Sequence, residues 1–127
     1  MFRGRTRSVQ TRFRSPHPAS RIGLIVRYRF LTADVFTDSI FGGNQLAVFP
    51  DATSIPDERL LDITREFNYS ETVFVYPPSS SAFTRRLRIF TPGGEVPFAG
   101  HPTVGTAHRL AAVGAIPLTR PQPWIVP

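Results

Sequence analysis

The sequence predicts a single α+β domain. Its 127 residues are the length of one domain, and 41% of them are apolar, which is enough for a packed core. Segments rich in β-branched and aromatic residues alternate with two segments whose apolar residues have helical spacing. The second helical segment is apolar on nearly every side, as a helix enclosed by a sheet requires. We therefore expect a sheet that encloses this helix.

Four segments have the composition of β-strands, namely residues 28–35, 45–49, 72–76 and 83–90. The loop between the first two contains Gly42, Gly43 and Asn44, which tolerate the positive φ angles of tight turns. A short glycine-containing loop predicts antiparallel pairing of the strands that it joins. The fourth segment alternates most regularly between apolar and polar residues, and residues 91–94 after it are expected to form a turn.

The first helix is predicted to follow Ser54 and to run to about residue 67. Its apolar stripe consists of Leu60, Ile63, Thr64 and Phe67, and charged residues occupy the opposite face. Ser54 and Asp57 have the spacing of a capping box, and Asn68 is suited to end the helix.

The second helix is predicted over residues 103–113, with Pro102 in its first turn and Gly114 after its end. Its only charged residue is Arg109, and glycine and alanine are frequent along it. We expect this helix to be buried nearly all round.

The net charge of +6 is concentrated at the N-terminus. Residues 1–29 contain eight arginines and no acidic residue, whereas residues 30–127 contain seven arginines and nine acidic residues. The Arg-rich leader, residues 1–26, has too little apolar surface to fold, so we expect disorder there and in the Pro-rich tail, residues 118–127. The leader is interpreted as the product of an upstream start codon, as a transit peptide, or as a basic arm for nucleic acid or a membrane surface.

Several function classes are excluded by what the sequence lacks. It has no cysteine, which excludes disulfides, thiol catalysis and cysteine-ligated metals. No apolar run reaches the ~18 residues of a membrane-spanning helix. His101 and His108 occur without an HExxH pattern, so we expect no metal site. Gly100 and Gly105 have the spacing of a phosphate loop, but the lysine of that motif is missing.

Glu71 is the first candidate catalytic residue. It stands between Ser70 and Thr72, where the chain enters an apolar strand. A carboxylate withdrawn from water by such neighbours becomes a stronger base and is suited to proton transfer. The alternative is that Glu71 is an ordinary exposed loop residue.

The second candidate is the segment from Phe98 to Thr103, which leads into the second helix and includes Gly100 and His101. Free N–H groups at a helix N-terminus bind carboxylate or phosphate, and glycine lets the backbone approach a ligand closely. The alternative is an ordinary capping turn.

Both candidates lie within a longer series of motifs, namely ADVFT (33–37), Gly43-Asn44 with LAV (46–48), SETVFV (70–75), LRIFTP (87–92) and EVPFAGHPTVGTAH (95–108). In this order the motifs resemble the N-terminal half of the phenazine-biosynthesis PhzF-like isomerase family. The resemblance extends from about residue 28 to residue 117.

The resemblance implies the fold of diaminopimelate epimerases, in which each of two pseudo-symmetric halves wraps a β-barrel-like sheet around a central helix. Residues 27–117 would form the N-terminal half-domain, and residues 103–113 its central helix. The family's second half supplies an aspartate and a glycine-rich segment to the same cleft, and the sequence contains neither. We therefore expect a truncated or frameshifted product that is inactive alone.

The resemblance also implies a cofactor-independent isomerase that moves one proton on a small amino- and carboxylate-bearing substrate. In the family's founding member this substrate is trans-2,3-dihydro-3-hydroxyanthranilate. Glu71 would be the general acid and base, Gly100 and His101 would hold the substrate at the helix N-terminus, and Asn44 would lie near the site. The expected partners are the substrate and either a second copy or a complementing second-half chain, and the expected location is the cytoplasm.

The alternative function is a non-enzymatic binding module whose Arg-rich leader binds nucleic acid. It is the less favoured interpretation, because the excess positive charge is confined to the leader. All fifteen basic residues are arginine, which we attribute in part to coding bias.

Overall fold

The computed structural model describes residues 6–11 and 26–117. These residues form β1 (Thr6–Thr11), β2 (Val26–Val35), β3 (Asn44–Phe49), α1 (Asp57–Phe67), β4 (Glu71–Tyr76), β5 (Arg86–Thr91), β6 (Gly94–Val96) and α2 (Gly100–Ala112). The predicted disordered tail lies outside the described residues, as does most of the Arg-rich leader.

The strands form one sheet in their sequence order, from β1 to β6. All neighbouring strands are antiparallel except β3 and β4, which are parallel and are connected through α1. The antiparallel pairing of β2 with β3 confirms the prediction from the glycine loop. In the parallel pair Leu46 lies opposite Glu71, which places Glu71 at the beginning of β4.

Each face of the sheet has its own apolar core, because successive side chains along a strand point to opposite faces. One core packs beneath α1 and contains Phe30, Phe49, Phe74, Phe90, Leu60 and Ile63. The other packs beneath α2 and contains Leu31, Val35, Leu46, Val48, Val73, Val75, Ile89 and Leu110. The described residues therefore form three layers, with the sheet between the two helices.

The end predicted for α1 is confirmed, but its predicted N-terminal cap is wrong. Asn68 takes a left-handed φ of 51° and donates its backbone N–H to the Thr64 carbonyl at 3.0 Å, which ends the helix as expected. At the other end the N-cap residue is Pro56, and no side chain caps the helix. Ile55 is buried in the core beneath α1 and donates its N–H to the Ala52 carbonyl. This turn keeps Ser54 outside the helix start.

The hairpin of β5 and β6 begins later along the chain than predicted, and it includes a strand that was not predicted. The strand predicted over residues 83–90 begins only at Arg86. The guanidinium of Arg85 instead donates to the Ala115 carbonyl at 2.7 Å, which holds residue 85 in the preceding loop. The predicted turn is followed by β6, which the sequence did not reveal because three residues are too few for an alternating pattern.

α2 begins three residues earlier than predicted and is buried on only one side. Pro102 lies in its first turn, and Gly114 follows its end with a φ of 71°, as expected. The exposed stripe of α2 consists of Gly100, Val104, His108 and Ala112. The prediction of burial nearly all round is therefore wrong for the described residues, because their sheet covers one side of the helix.

Gly105 is the point of closest approach between α2 and the sheet. A Cβ atom at this position would lie 2.6 Å from Leu46 Cδ2 and 2.7 Å from Val35 Cγ2. Only glycine leaves room for this approach, which seats the helix across β2 and β3.

Part of the Arg-rich leader forms β1, which differs from the disorder expected for all of residues 1–26. Its strand pairs with β2 from Thr6 opposite Leu31 to Thr11 opposite Val26. This ladder satisfies backbone groups along the edge of β2 and requires no apolar composition in β1. Neither α1 nor α2 is long and apolar enough to cross a membrane.

Candidate active site

Glu71 lies at the first position of β4, on the face of the sheet that α2 covers. It alternates with Val73 and Val75, which belong to the core beneath α2. Its side chain is 16% exposed. Glu71 is therefore a nearly buried carboxylate at a strand end and not an exposed loop residue.

His101 lies in the first turn of α2, directly beside Glu71. Its Nε2 atom is 2.7 Å from Glu71 Oε2, and its side chain is 13% exposed. The contact depends on the seating of α2 at Gly105, one turn further along the helix, where the backbone meets Leu46 and Val35. Because Leu46 is the ladder partner of Glu71, the same seating brings the helix N-terminus to the beginning of β4.

The contact between Glu71 and His101 occupies only part of the hydrogen-bonding capacity of the carboxylate. Oε2 and Nε2 are both buried, and among the described residues neither has a hydrogen-bond partner beyond this contact. A carboxylate has more acceptor positions than one contact uses. Glu71 can therefore accept a further hydrogen bond from a ligand.

The N-terminus of α2 is open to an anionic group. Its N-cap is Ala99, no side chain caps the helix, and the first turn contains no acidic residue. A Cβ atom built on Gly100 meets nothing within 4 Å, which shows open space in front of the backbone. Thr103 fixes the turn through its hydroxyl, which donates to the Ala99 carbonyl at 2.8 Å. The free N–H groups of this turn can bind a carboxylate.

Asn44 lies at the first position of β3 and is exposed. It alternates with Leu46 and Val48, so it lies on the α2 face of the sheet, as Glu71 does. Its side chain makes no hydrogen bond to Glu71 or His101 in the part of the chain that the structure describes. Of the four residues predicted for the site, the structure brings Glu71, Gly100 and His101 together and leaves Asn44 at the edge.

Phe36 is a neighbour of the site that the sequence did not single out. Its ring centroid lies 6.4 Å from that of His101, at an interplanar angle of 62°. It follows directly after β2, has a φ of 61° and is 68% exposed. The one signal in the sequence is an aromatic residue at the end of a strand, within the ADVFT motif.

α2 also carries a buried cation away from its first turn. Arg109 is 7% exposed, and its Nε atom has no hydrogen-bond partner among the described residues. Burial lowers the pKa of Arg109, and burial together with the neighbouring charge of Arg109 lowers the pKa of His108. The helix therefore carries positive charge at its C-terminal end, which complements the helix dipole.

Residues that could ligate a metal are dispersed. Within residues 6–11 and 26–117 no three His, Asp or Glu side chains come together as a possible metal site.

The known proteins that this chain resembles point to one family. The family described as phenazine biosynthesis-like protein matches residues 33–123. The chain is 50% identical over 87 residues to an uncharacterized isomerase of Pasteurella multocida, covering 68% of this chain and 30% of that protein. It is 44% identical over 85 residues to the trans-2,3-dihydro-3-hydroxyanthranilate isomerase of Pseudomonas aeruginosa, covering 67% of this chain and 30% of that enzyme.

Solved structures agree with these relatives. The chain is similar to a PhzF-family phenazine biosynthesis protein of Bacillus anthracis, with a TM-score of 0.62 and 35% identity over 68% of this chain and 28% of the other. A PhzF-family protein of Enterococcus faecalis matches with a TM-score of 0.62 and 32% identity over 70% of this chain and 33% of the other. These neighbours have the diaminopimelate epimerase-like fold that the resemblance implied. The chain spans about 30% of the length of the curated relatives it matches, and it belongs to the phenazine biosynthesis-like protein family.

Proposed function

We propose that this chain supplies the glutamate-bearing wall of a cofactor-independent isomerase. The observation that carries the proposal is the buried contact between Glu71 Oε2 and His101 Nε2, 2.7 Å apart, at the mouth of the uncapped N-terminus of α2. In this proposal the carboxylate transfers the proton and the neighbouring helix end binds the anionic group of the substrate. Together they fit a small substrate that carries a carboxylate and an acidic C–H bond.

The proposed reaction is a proton shift. The Glu71 carboxylate removes a proton from one carbon, and the electron pair of the broken C–H bond moves through the adjacent double bond. The protonated carboxyl then returns the proton to a second carbon, so the double bond has migrated and no oxidant or reductant is consumed. The Glu71 side chain is 16% exposed, so its carboxyl can exchange part of the proton with solvent before the return step.

Gly100 and His101 are proposed to position the substrate. The backbone of Gly100 faces open space and leaves room for a carboxylate against the N–H groups of the first turn. His101 holds its imidazole against Glu71 and limits where the carboxylate can move. Asn44 is proposed to contact the outer end of the substrate, since it lies on the same face at the exposed beginning of β3.

We propose a cyclic amino acid of the dihydroanthranilate type as the substrate class. The support comes from relatives in Pseudomonas aeruginosa and Pseudomonas fluorescens, which are trans-2,3-dihydro-3-hydroxyanthranilate isomerases. Because the described residues form one side of the site, we further propose that turnover requires the remainder of the fold. That remainder would come from additional chain, from a second copy or from a complementing polypeptide.

The test is turnover of trans-2,3-dihydro-3-hydroxyanthranilate by the assembled enzyme with Glu71→Gln. The amide has nearly the shape of the carboxyl but cannot accept the proton, so we expect turnover to fall by at least about a hundredfold, the lower range for general-base catalysis. Substrate binding is expected to remain within about threefold of the unmodified protein, a free-energy change of less than 1 kcal/mol.

Glu66→Gln is the matched control, because Glu66 is an exposed acid on α1, on the other side of the sheet. We expect it to leave turnover unchanged. Undiminished turnover with Glu71→Gln would refute the role of Glu71, and an equal loss with Glu66→Gln would point to general destabilisation instead.

A further inference from the structure

The first half of β2 depends on β1 for its strand pairing. Residues 31–35 of β2 pair with β3, whereas residues 26–30 pair with β1 and with no other strand in residues 6–11 and 26–117. A strand edge without a partner presents a row of free N–H and C=O groups, which another chain can bind. β1 closes this edge of β2 from Val26 to Leu31.

The part of β2 beside β1 contributes two aromatic residues to the core beneath α1. Tyr28 is 6% exposed and Phe30 is 5% exposed. The Tyr28 hydroxyl donates to the Ser54 carbonyl at 3.5 Å, and the ring centroid of Phe30 lies 4.9 Å from that of Phe67. Without β1, these core residues would belong to a strand segment whose edge is open to other chains.

β1 is better suited than β2 to form the outer edge of the sheet. β2 has ten residues and is rich in apolar and aromatic ones, whereas β1 has six residues, of which only Val9 is apolar. Short, polar and charged strands at a sheet edge resist pairing with other chains. β1 also lies outside residues 33–123, the part of the chain that matches the family, so the family match does not account for it.

We propose that β1 is a protective edge strand, which prevents copies of this chain from pairing through β2. It replaces a long apolar edge with a short polar one and holds the first half of β2 in place. The Arg-rich leader thereby has a role within the folded chain, apart from any contact with nucleic acid or a membrane surface. The proposal does not depend on the chemistry at Glu71.

The test places proline at two successive positions of β1, as Ser8→Pro and Val9→Pro in the full chain. Along a strand of an antiparallel pair, successive N–H groups point alternately toward the partner strand and away from it. Proline lacks this N–H and is tolerated on an edge strand where the N–H faces solvent. We therefore expect one variant to disrupt the ladder with β2 and the other, its matched control, to keep it.

Amide hydrogen exchange and sedimentation velocity measure the two consequences. In the disruptive variant the amides of residues 26–30 are expected to exchange about three- to tenfold faster, the equivalent of one lost hydrogen bond. The amides of Val73 and Val75 in β4 are expected to keep their protection. The disruptive variant is expected to form larger oligomers at micromolar concentrations, and the control variant is expected to sediment as the unmodified chain does.

A synthetic peptide of residues 4–13 identifies the surface through which the copies associate. Added in excess, it is expected to pair with the open edge of β2 and to return the disruptive variant to the sedimentation of the unmodified chain. The same peptide with proline at positions 8 and 9 keeps the charge but cannot complete the ladder. It is expected to have no effect.

The proposal is overturned if residues 26–30 keep their protection in both variants, since β1 would then not hold β2. It is also overturned if protection is lost without larger oligomers, or if both variants lose it equally. Oligomers that the peptide leaves unchanged would equally overturn it. They would mean that the copies associate through another surface or, where Val73 and Val75 also lose protection, through unfolding.

Discussion

Glu71 and His101 are the two residues on which the described site depends. Their side chains are 16% and 13% exposed, and Glu71 Oε2 lies 2.7 Å from His101 Nε2, so each is the other's partner where little water reaches. The core beneath α2 holds the helix and the sheet, and with them this contact, in place. The site is therefore organised before the substrate arrives, which is the arrangement that lowers the cost of positioning.

Arg109 is a second buried polar residue, and nothing in the proposed reaction uses it. We expect Arg109→Met to raise the free energy of unfolding by about 1 kcal/mol, because an apolar side chain of similar length replaces a charge without a buried partner. Urea unfolding at neutral pH measures the change.

Arg65→Met is the control for Arg109→Met. Arg65 is exposed on α1 and donates one hydrogen bond to the Pro92 carbonyl, so its replacement is expected to lower the unfolding free energy by no more than about 1 kcal/mol. A loss of stability in Arg109→Met would mean that the guanidinium has a favourable partner.

At the scale of elements, one arginine connects α1 to the edge hairpin. Arg88 on β5 donates to both carboxylate oxygens of Glu95 on β6, each at 2.8 Å, and lies 3.0 Å from Asp57 at the start of α1. The hydrogen bonds that Arg88 donates to Glu95 lower the pKa of the Glu95 carboxyl and raise the pKa of Arg88. This network fixes the short β6, which leads the chain into α2.

The network predicts a pH-dependent loss of stability on acidification. The pKa of Glu95 is lower in the folded chain than its ordinary value of 4.5. Its contribution is therefore complete above that value and is lost as the pH falls through the lowered pKa. We expect Glu95→Gln to lower the free energy of unfolding at pH 7 by up to about 1 kcal/mol, the range for a partly exposed ion pair.

Thermal unfolding across the acid range distinguishes this account from a packing effect. The difference between Glu95→Gln and the unmodified chain is expected to shrink as the pH is lowered and to vanish below the folded-state pKa of Glu95. A difference that stays constant with pH would mean that the amide disturbs the hairpin by its shape and not by its missing charge.

Local sequence patterns were sufficient to predict most of the helices and strands of this fold. The helical spacing of Leu60, Ile63 and Phe67 predicted α1, and Asn68 marked its end because asparagine tolerates a left-handed φ. These local patterns failed where tertiary contacts determine the local structure. Backbone pairing with the edge of β2 forms β1 in an Arg-rich segment, and the core position of Ile55 displaces the helix start from the predicted capping box.

The sequence was sufficient to propose which residues belong to the candidate site, but not how these residues are arranged in space. An acid at the entrance of an apolar strand and a glycine before a helix are visible in sequence. Their contact depends on the register of β3 with β4 and on the depth to which Gly105 lets α2 approach. Phe36 was missed because no local pattern specifies its left-handed φ or its position beside His101.

At the scale of the whole molecule, the described residues expose several large apolar side chains. They are Phe36, Ile40, Phe41, Phe98, Val104 and Val113. Val104 belongs to the exposed stripe of α2, the side that the sheet of the described residues does not cover. Exposed apolar side chains that form a patch mark an interaction site. We expect this side of α2 to be covered in the active assembly.

Val104→Glu tests the expected contact. We expect the chain to self-associate at micromolar concentrations in sedimentation velocity, and we expect the substitution to shift it toward the monomer by burying a charge in the interface. Because the side chain is exposed, the free energy of unfolding should change by less than about 0.5 kcal/mol.

Glu58→Lys, an exposed charge change on α1, should leave the association unchanged. Association of Val104→Glu as strong as that of the unmodified chain would place the contact elsewhere.

The most direct measurement of the central claim is deuterium incorporation. The assembled enzyme would turn over trans-2,3-dihydro-3-hydroxyanthranilate in D₂O, and mass spectrometry would count deuterium bound to carbon in the product. If Glu71 carries the proton and exchanges it with solvent, the product gains deuterium at the carbon that receives the proton, and Glu71→Gln abolishes the gain. Incorporation at an unchanged rate in Glu71→Gln would contradict the claim.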